Sequence, residues 1–223
     1  MLNAQSKTIE SIRRDLKDTH VDHTYYENAE SEAWMQPFWG EGSLFLERFS
    51  HLDLSSVIDF ACGHGRHAAQ FLGSAGEITL VDANKSNIDR CRGRFRGQEK
   101  VGFYLCNGRD IAGIPDGTAS SIVSYDAMVH FEAFDVINYL FEFSRVLNKE
   151  GQALLHFSVN DQNPTGNFRD DTANWRSYFS RGNMEHFAHR AGFEVSSLST
   201  FPWPPNSSDE HTDGLVLLRK MVE

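Results

Sequence analysis

The chain alternates short apolar runs with longer segments whose apolar residues recur every three or four positions. Val57-Ile58-Asp59-Phe60, Ile78 to Val81, Val101 to Cys106, Ser120 to Tyr125 and Ala153 to Val159 are runs of the first kind. Their length and the turn residues around them predict strands buried on both faces. Helical spacing fills the gaps: a helix to about Leu72, and another over Asn84 to Phe95 with Ile88, Cys91 and Phe95 on one face. A third carries Val136, Ile137, Leu140, Phe143, Val146 and Leu147, with Asp135 as its expected cap and Glu150-Gly151 as its expected stop. A last helix is predicted over Gly182 to Arg190. It is followed by a strand at Phe193 to Leu198, a rigid turn at Phe201-Pro202-Trp203-Pro204-Pro205 and a strand at Leu215 to Arg219.

Five strands separated by helices predict parallel neighbours, because parallel pairing needs a long crossover. The two strands that close the chain have only a loop between them, which allows an antiparallel hairpin. The predicted class is α/β: a doubly wound, mostly parallel seven-stranded sheet with an antiparallel C-terminal strand and helices on both faces.

The first fifty residues read differently. Ile9, Ile12 and Leu16 predict an amphipathic helix, and Leu44, Phe45, Leu46 and Phe49 another. Between them Tyr25, Tyr26, Trp34, Phe38 and Trp39 crowd into fifteen residues. Residues 1–50 are therefore expected to form a helical, aromatic lid on a single domain spanning 51–223. Rings in such a lid either pack on the sheet or close over a ligand, Tyr26 and Trp39 first. The polar stretch Asn160 to Tyr178 has the length and composition of a functional loop.

Composition narrows the function classes. Of 223 residues, 40% are apolar and 23% charged, the balance of a soluble globular protein. A net charge of −10 argues against a nucleic-acid footprint. The one basic cluster, Arg90 to Arg96, ends a helix, where the macrodipole favours cations. No apolar run approaches the roughly 20 residues of a membrane span, and no signal segment opens the chain, so a cytoplasmic location is expected. Cys62, Cys91 and Cys106 are odd in number and lack a C-x-x-C pair, which argues against disulfides and zinc. His64/His67 and His186/His189, each three residues apart, are too sparse for a metal site. None is assigned.

The chemistry concentrates in Ser56 to Asp82. A glycine turn, Gly63-His64-Gly65, follows the first strand and permits close backbone approach to a ligand. Asp82 tips the second strand, where a carboxylate can accept two hydrogen bonds from a ribose diol. Read as Gly63-His64-Gly65-Arg66-His67-Ala68, the loop fits the dinucleotide fingerprint of nicotinamide enzymes. Read as Asp59-Phe60-Ala61-Cys62-Gly63-His64-Gly65, it resembles the D/E-x-G-x-G-x-G motif of class I S-adenosylmethionine (SAM)-dependent methyltransferases, with Ala61 in place of the first glycine. The loop leaves both open. The closing hairpin favours the second, as do Ile114-Pro115-Asp116-Gly117-Thr118 with Ile122-Val123-Ser124, and Arg145-Val146-Leu147-Asn148-Lys149-Glu150-Gly151. These resemble the methyltransferase runs "lPd-S-fD-vvs" and "R-V-L-K-P-G-G", with Lys149 and Glu150 departing from the commoner Pro and Gly.

The resemblance implies SAM as cofactor, held by Asp59, Ala61, Gly63 and Gly65, by Asp82 and Ala83, and by Asn107 and Gly108 at the adenine, with Asp126 also at the cofactor. It implies methyl transfer to an oxygen or nitrogen of a small-molecule acceptor. The Asn/Asp-Pro-Pro-Tyr/Phe element of base-modifying enzymes is absent where Tyr125-Asp126-Ala127-Met128 stands. His130, four residues beyond Asp126, is the candidate base or acceptor positioner, since imidazole titrates near pH 6.5. Ser158 and Asp161 lie at a strand end facing the acceptor. A SAM-binding sensor or scaffold without catalysis, and an NAD-dependent oxidoreductase, are the alternatives.

Overall fold

The computed structural model describes residues 8–19, 26, 28–162, 164, 176–203 and 211–222. Seven strands form one sheet: β1 (Ser56–Phe60), β2 (Glu77–Asp82), β3 (Val101–Leu105), β4 (Ala119–Ser124), β5 (Leu147–Ser158), β6 (Phe193–Pro202) and β7 (His211–Lys220). Their spatial order is β3-β2-β1-β4-β5-β7-β6. The first five are parallel, and β7 runs antiparallel between β5 and β6. The predicted class and sheet are the ones found. The strand order reverses between β1 and β4, and a sheet of this kind opens a ligand crevice at that point, outside its carboxyl ends.

Helices cover both faces, and two apolar clusters fill the layers between. One joins Phe60, Ile122, Leu155 and Phe157 to Tyr139, Leu140 and Phe143 of α6 (Ala133–Val146) and to Met184 and Ala188 of α7 (Arg181–Arg190). The other joins Val57, Leu80, Val123 and Leu154 to α4 (Arg66–Phe71), α5 (Lys85–Arg94) and the N-terminal helices. Of those helices, α2 (Glu32–Trp39) and α3 (Leu44–Phe49) sink Phe38, Phe45 and Phe49 into the second cluster. Three buried rings at roughly 1.5–3 kcal/mol each make these two helices a fixed part of the fold. By contrast α1 (Ile9–Thr19) is tethered by polar contacts from its middle and from its last turns. Arg13 reaches Asp135 at 2.6 Å, and the Lys17 carbonyl accepts from Asn84 Nδ2 at 3.4 Å. It thus spans the carboxyl edge of the sheet from β2 to α6.

Several boundaries differ from the sequence expectation, each for a local reason. Asp135 does not cap α6. Glu132 holds the cap position, and Asp135 sits one turn in, where a first-turn acid also suits the dipole and where Arg13 claims it. The helix ends at Val146 and the chain enters β5 at once, six residues before Ala153, because Leu147 pairs with Ala119 ahead of a bulge. Glu150 follows with φ of 63°. Phe201 and Pro202 extend β6, since an edge strand tolerates proline's missing N–H. Pro204 and Pro205 lie outside the described residues, as do Tyr25 and most of the Asn160–Tyr178 loop.

The glycine loop carries a second departure. Ala61 has φ of 55°, the left-handed region, at the position where the resembling motif has glycine. An L-residue there is strained by about 1–2 kcal/mol, against roughly 0.4–1 kcal/mol of extra unfolded-chain freedom that a glycine brings. Ala61→Gly is therefore expected to stabilise the protein by about 0.5–1 kcal/mol. A urea-unfolding midpoint that moved downwards would contradict this.

Candidate functional site

At the end of β1 the chain rises through Ala61, Gly63 and Gly65, all with positive φ, before α4 begins. A Cβ on Gly65 would lie 2.6 Å from the Phe95 ring, so only glycine lets the loop fold back on α5. The loop is tied to β2 by one carboxylate. Asp82 Oδ2 accepts from the Gly63 N–H at 2.9 Å, while Oδ1 accepts from the Asn84 N–H at 2.7 Å and from Asn87 Nδ2 at 3.2 Å. Burial raises the Asp82 carboxyl above its usual range, against the pull of these donors. Beneath the loop Asp59 accepts from the Ala68 N–H at 3.2 Å, fastening the first turn of α4. Burial pushes its carboxyl up to about 7. The buried Cys91 thiol donates to the Gly63 carbonyl at 3.3 Å.

Tyr26 covers this loop. Its ring stacks on His64 with centroids 4.0 Å apart, and its hydroxyl accepts from Asn87 Nδ2 at 3.2 Å. A Cβ on Gly63 would meet the Tyr26 ring at 2.6 Å. Only glycine at position 63 lets the Tyr26 ring pack this closely on the loop backbone.

A second polar system crosses the carboxyl ends of β4 and β5 and the amino end of the antiparallel β7. Arg66, the first residue of α4, pairs with Asp126 at 2.7 Å and donates to the Ala29 carbonyl at 2.8 Å. Asp126 has φ of 57°. Its N–H donates to His156 Nδ1 at 3.0 Å, and His156 Nε2 lies 2.8 Å from Asp213 Oδ2. Arg176 closes the system with Nε and Nη2 on the same carboxylate at 2.6 and 2.8 Å. Burial works against the Asp213 carboxylate, but the His156 and Arg176 hydrogen bonds hold its pKa below the usual value. Stacked rings wall the system: Tyr125 and Phe201 lie on either side of His156, and Trp203 packs over Arg176.

Between the two systems runs the turn that carries His130. Met128–His130 is a single 3₁₀ turn, and His130 is buried in it. Ser177, beside Arg176, donates its N–H to the Val129 carbonyl at 2.9 Å and its hydroxyl to the Phe131 carbonyl at 2.5 Å.

The structure brings together Asp59, Ala61, Gly63, Gly65, Asp82 and Tyr26 around the glycine loop, with Ala83 partly buried against the first cluster. It reassigns others. Trp39 does not face the crevice: it donates to His67 Nδ1 at 3.0 Å and packs on Phe45, Phe49 and Phe71, where a large ring fills the core. Asn107 is exposed, and its Oδ1 is taken by the N–H groups of Arg109 and Asp110, so its carbonyl shapes its own loop. Gly108 beside it has φ of 79°. Asp126 engages Arg66 through Oδ2. Ser158 donates to the Ser177 carbonyl at 2.5 Å, a structural contact, and Asp161 is exposed beyond it. Sequence reasoning missed Arg66, His156, Arg176 and Asp213. The signal available was a lone histidine inside the apolar run Ala153 to Val159.

Residues 57–151 match the family described as a methyltransferase domain. No curated protein sequence matches the chain. Solved structures are similar over most of its length. The PH0226 protein of Pyrococcus horikoshii OT3 is 17% identical over 90% of this chain and 93% of that one, with a TM-score of 0.62. A Bacillus halodurans C-125 protein named as a methyltransferase is 18% identical over 79% and 97%, with a TM-score of 0.63. A Listeria monocytogenes protein named as S-adenosylmethionine dependent is 15% identical over 80% and 98%, also at 0.63. At identities this low the likeness shows the fold alone.

Two buried groups set opposing pH dependences. His67 lies between two obligate donors, Trp39 Nε1 at 3.0 Å and Arg66 Nε at 3.1 Å, of which a neutral ring accepts from one, and burial with the Arg66 charge drives its pKa well below 6.5. The unfolded chain takes that proton first, so this group removes stability as pH falls below about 6.5. Asp59 acts in reverse: folded, it keeps its proton to about 7, whereas unfolded it loses it near 4. It therefore removes stability as pH rises between those values. Asp59→Asn abolishes only the second effect. From pH 4.5 to 7.5 the wild type should lose on the order of 2–4 kcal/mol relative to this variant. Urea unfolding at the two pH values measures it, and a difference of opposite sign would refute the assignment.

Proposed function

We propose that this chain, whose residues 57–151 match a methyltransferase domain, is a class I S-adenosylmethionine-dependent methyltransferase that moves a methyl group to an oxygen or nitrogen of a small-molecule acceptor. One observation carries the cofactor side of this reading: the Asp82 carboxylate, at the tip of β2, lies 2.9 Å from the Gly63 N–H of the glycine loop. The residues present fit a nucleoside by their chemistry: a buried carboxylate at the tip of β2 stands beside a loop whose Gly63 and Gly65 leave the backbone without side chains. Asp82 would take the ribose diol, with Ala83 and Gly108 beside the base and the loop backbone beside the amino acid tail. When bound, SAM supplies a methyl already activated by its sulfonium.

What remains for the protein is placement and proton management. An acceptor held near 3–3.5 Å and in line with the leaving group gains several kcal/mol of the barrier. His130 stands at the carboxyl end of β4, in a turn gripped by Ser177, and takes the acceptor's proton where there is one to lose. Trp34, 38% exposed, lies 6.0 Å from Trp203 at the rim and offers flat apolar surface to a small acceptor. The net charge of −10 supports a small acceptor over a polyanion.

Calorimetry with SAM, followed by S-adenosylhomocysteine release across a metabolite panel, tests the reading; no heat with SAM would end it. Asp82→Ala is expected to weaken SAM binding by about 1–3 kcal/mol. His130→Ala should leave SAM affinity within a few-fold and lower turnover about 10²-fold. Unchanged turnover in that variant would remove His130 from the base role.

A further inference from the structure

We propose that His156 is a positioning residue: its Nδ1 holds the Asp126 amide, and so sets the His130 turn against the glycine loop. The proposal rests on the methyl-transfer reading for its kinetic consequence and on geometry alone for its placement.

The tautomer of His156 follows from its neighbours. A backbone N–H can only donate, so Nδ1, 3.0 Å from the Asp126 nitrogen, carries the lone pair. The ring proton is then on Nε2, where the Asp213 carboxylate accepts it at 2.8 Å. Arg176 forks onto the same carboxylate and Thr212 Oγ1 donates to it at 3.0 Å, so Asp213 is itself fixed in place. His156 and Asp213 are fully buried, and Tyr125 and Phe201 leave the ring no freedom to turn.

Asp126 is the residue in need of holding. Its φ of 57° is a conformation that a non-glycine residue keeps only when its surroundings impose it. Two groups impose it, His156 on the amide and Arg66 on the carboxylate. Arg66 follows Gly65 directly, so Asp126 is located relative to the cofactor loop. Ser177 grips the same turn from the other side at Val129 and Phe131. Releasing the amide frees one end of the turn while leaving the Asp82 cradle intact. The loss should therefore fall on turnover and spare SAM affinity.

Two isosteric halves of the imidazole separate this role from mere packing. In His156→Asn the side-chain Oδ1 reproduces the Nδ1 acceptor and loses the donor to Asp213. In His156→Gln the Nε2 amide reproduces that donor and loses the acceptor. His156→Gln keeps one methylene that His156→Asn loses, so packing alone would make His156→Asn the more damaging change, the reverse of the order expected here. We expect Asp126 amide hydrogen exchange, followed by NMR, to stay slow in His156→Asn and to accelerate at least ~10-fold in His156→Gln. With an acceptor from the metabolite panel, kcat should fall no more than ~5-fold in the first and at least ~50-fold in the second, with SAM Kd within ~3-fold in both. Equal exchange in the two variants, equal kcat losses, or a wild-type ¹⁵N spectrum showing a protonated Nδ1 would each overturn the proposal. If the wild type releases no S-adenosylhomocysteine with any acceptor, the methyl-transfer reading falls, and exchange at Asp126 still decides the placement of His156.

Discussion

The Asp82 carboxylate is the contact on which the rest of the structure turns. It gathers the Gly63 and Asn84 amides and the Asn87 side chain, and so joins the loop after β1, the end of β2 and the first turn of α5. Parallel pairing of β1 with β2 brings these ends to the same edge. Without a shared acceptor the two loops would have buried amides and no partner for them. The group that organises the loop is also the one a ribose would address, so preorganisation and binding use one set of atoms.

A different principle governs the other half of the crevice. There, charges are buried in balance: Arg66 with Asp126, Arg176 with Asp213, and a neutral His156 between them. A buried ion pair of this kind contributes little net stability over a well-packed apolar replacement, yet losing one member leaves an uncompensated charge and is severe. Its value lies in fixing where loops go. The Asp126 backbone, the His130 turn and the Ser177 segment all take their positions from it.

How much was legible in the sequence follows the range of the interactions involved. β1, the glycine loop, β2 and Asp82 lie within 27 residues and announce themselves by periodicity and by residue types with narrow uses. The central strands were equally readable, because burial on both faces leaves continuous apolar runs, and the antiparallel ending was readable from the short connection before the last strand. Asp126, His156, Arg176 and Asp213 come from four separate segments, and no local pattern says that they meet. Trp39 shows the converse error: aromatic density marks a cap without saying which ring faces inward. Its indole N–H found His67, a partner 28 positions away. Asn107 shows a third limit, since a short amide that bonds its own loop looks the same in sequence as one that bonds a ligand.

The insertion of β7 between β5 and β6 has a consequence for how the molecule is made. The glycine-loop half is assembled from neighbouring stretches of chain and can consolidate as soon as β3 and β4 have docked. The opposite half waits on Asp213, which arrives after nearly everything else has been synthesised. Until then the Asp213 carboxylate, which His156 and Arg176 share, is missing. A nascent chain therefore has the Asp82-bound loop in place well before the buried charges at the other end of the sheet edge can be balanced.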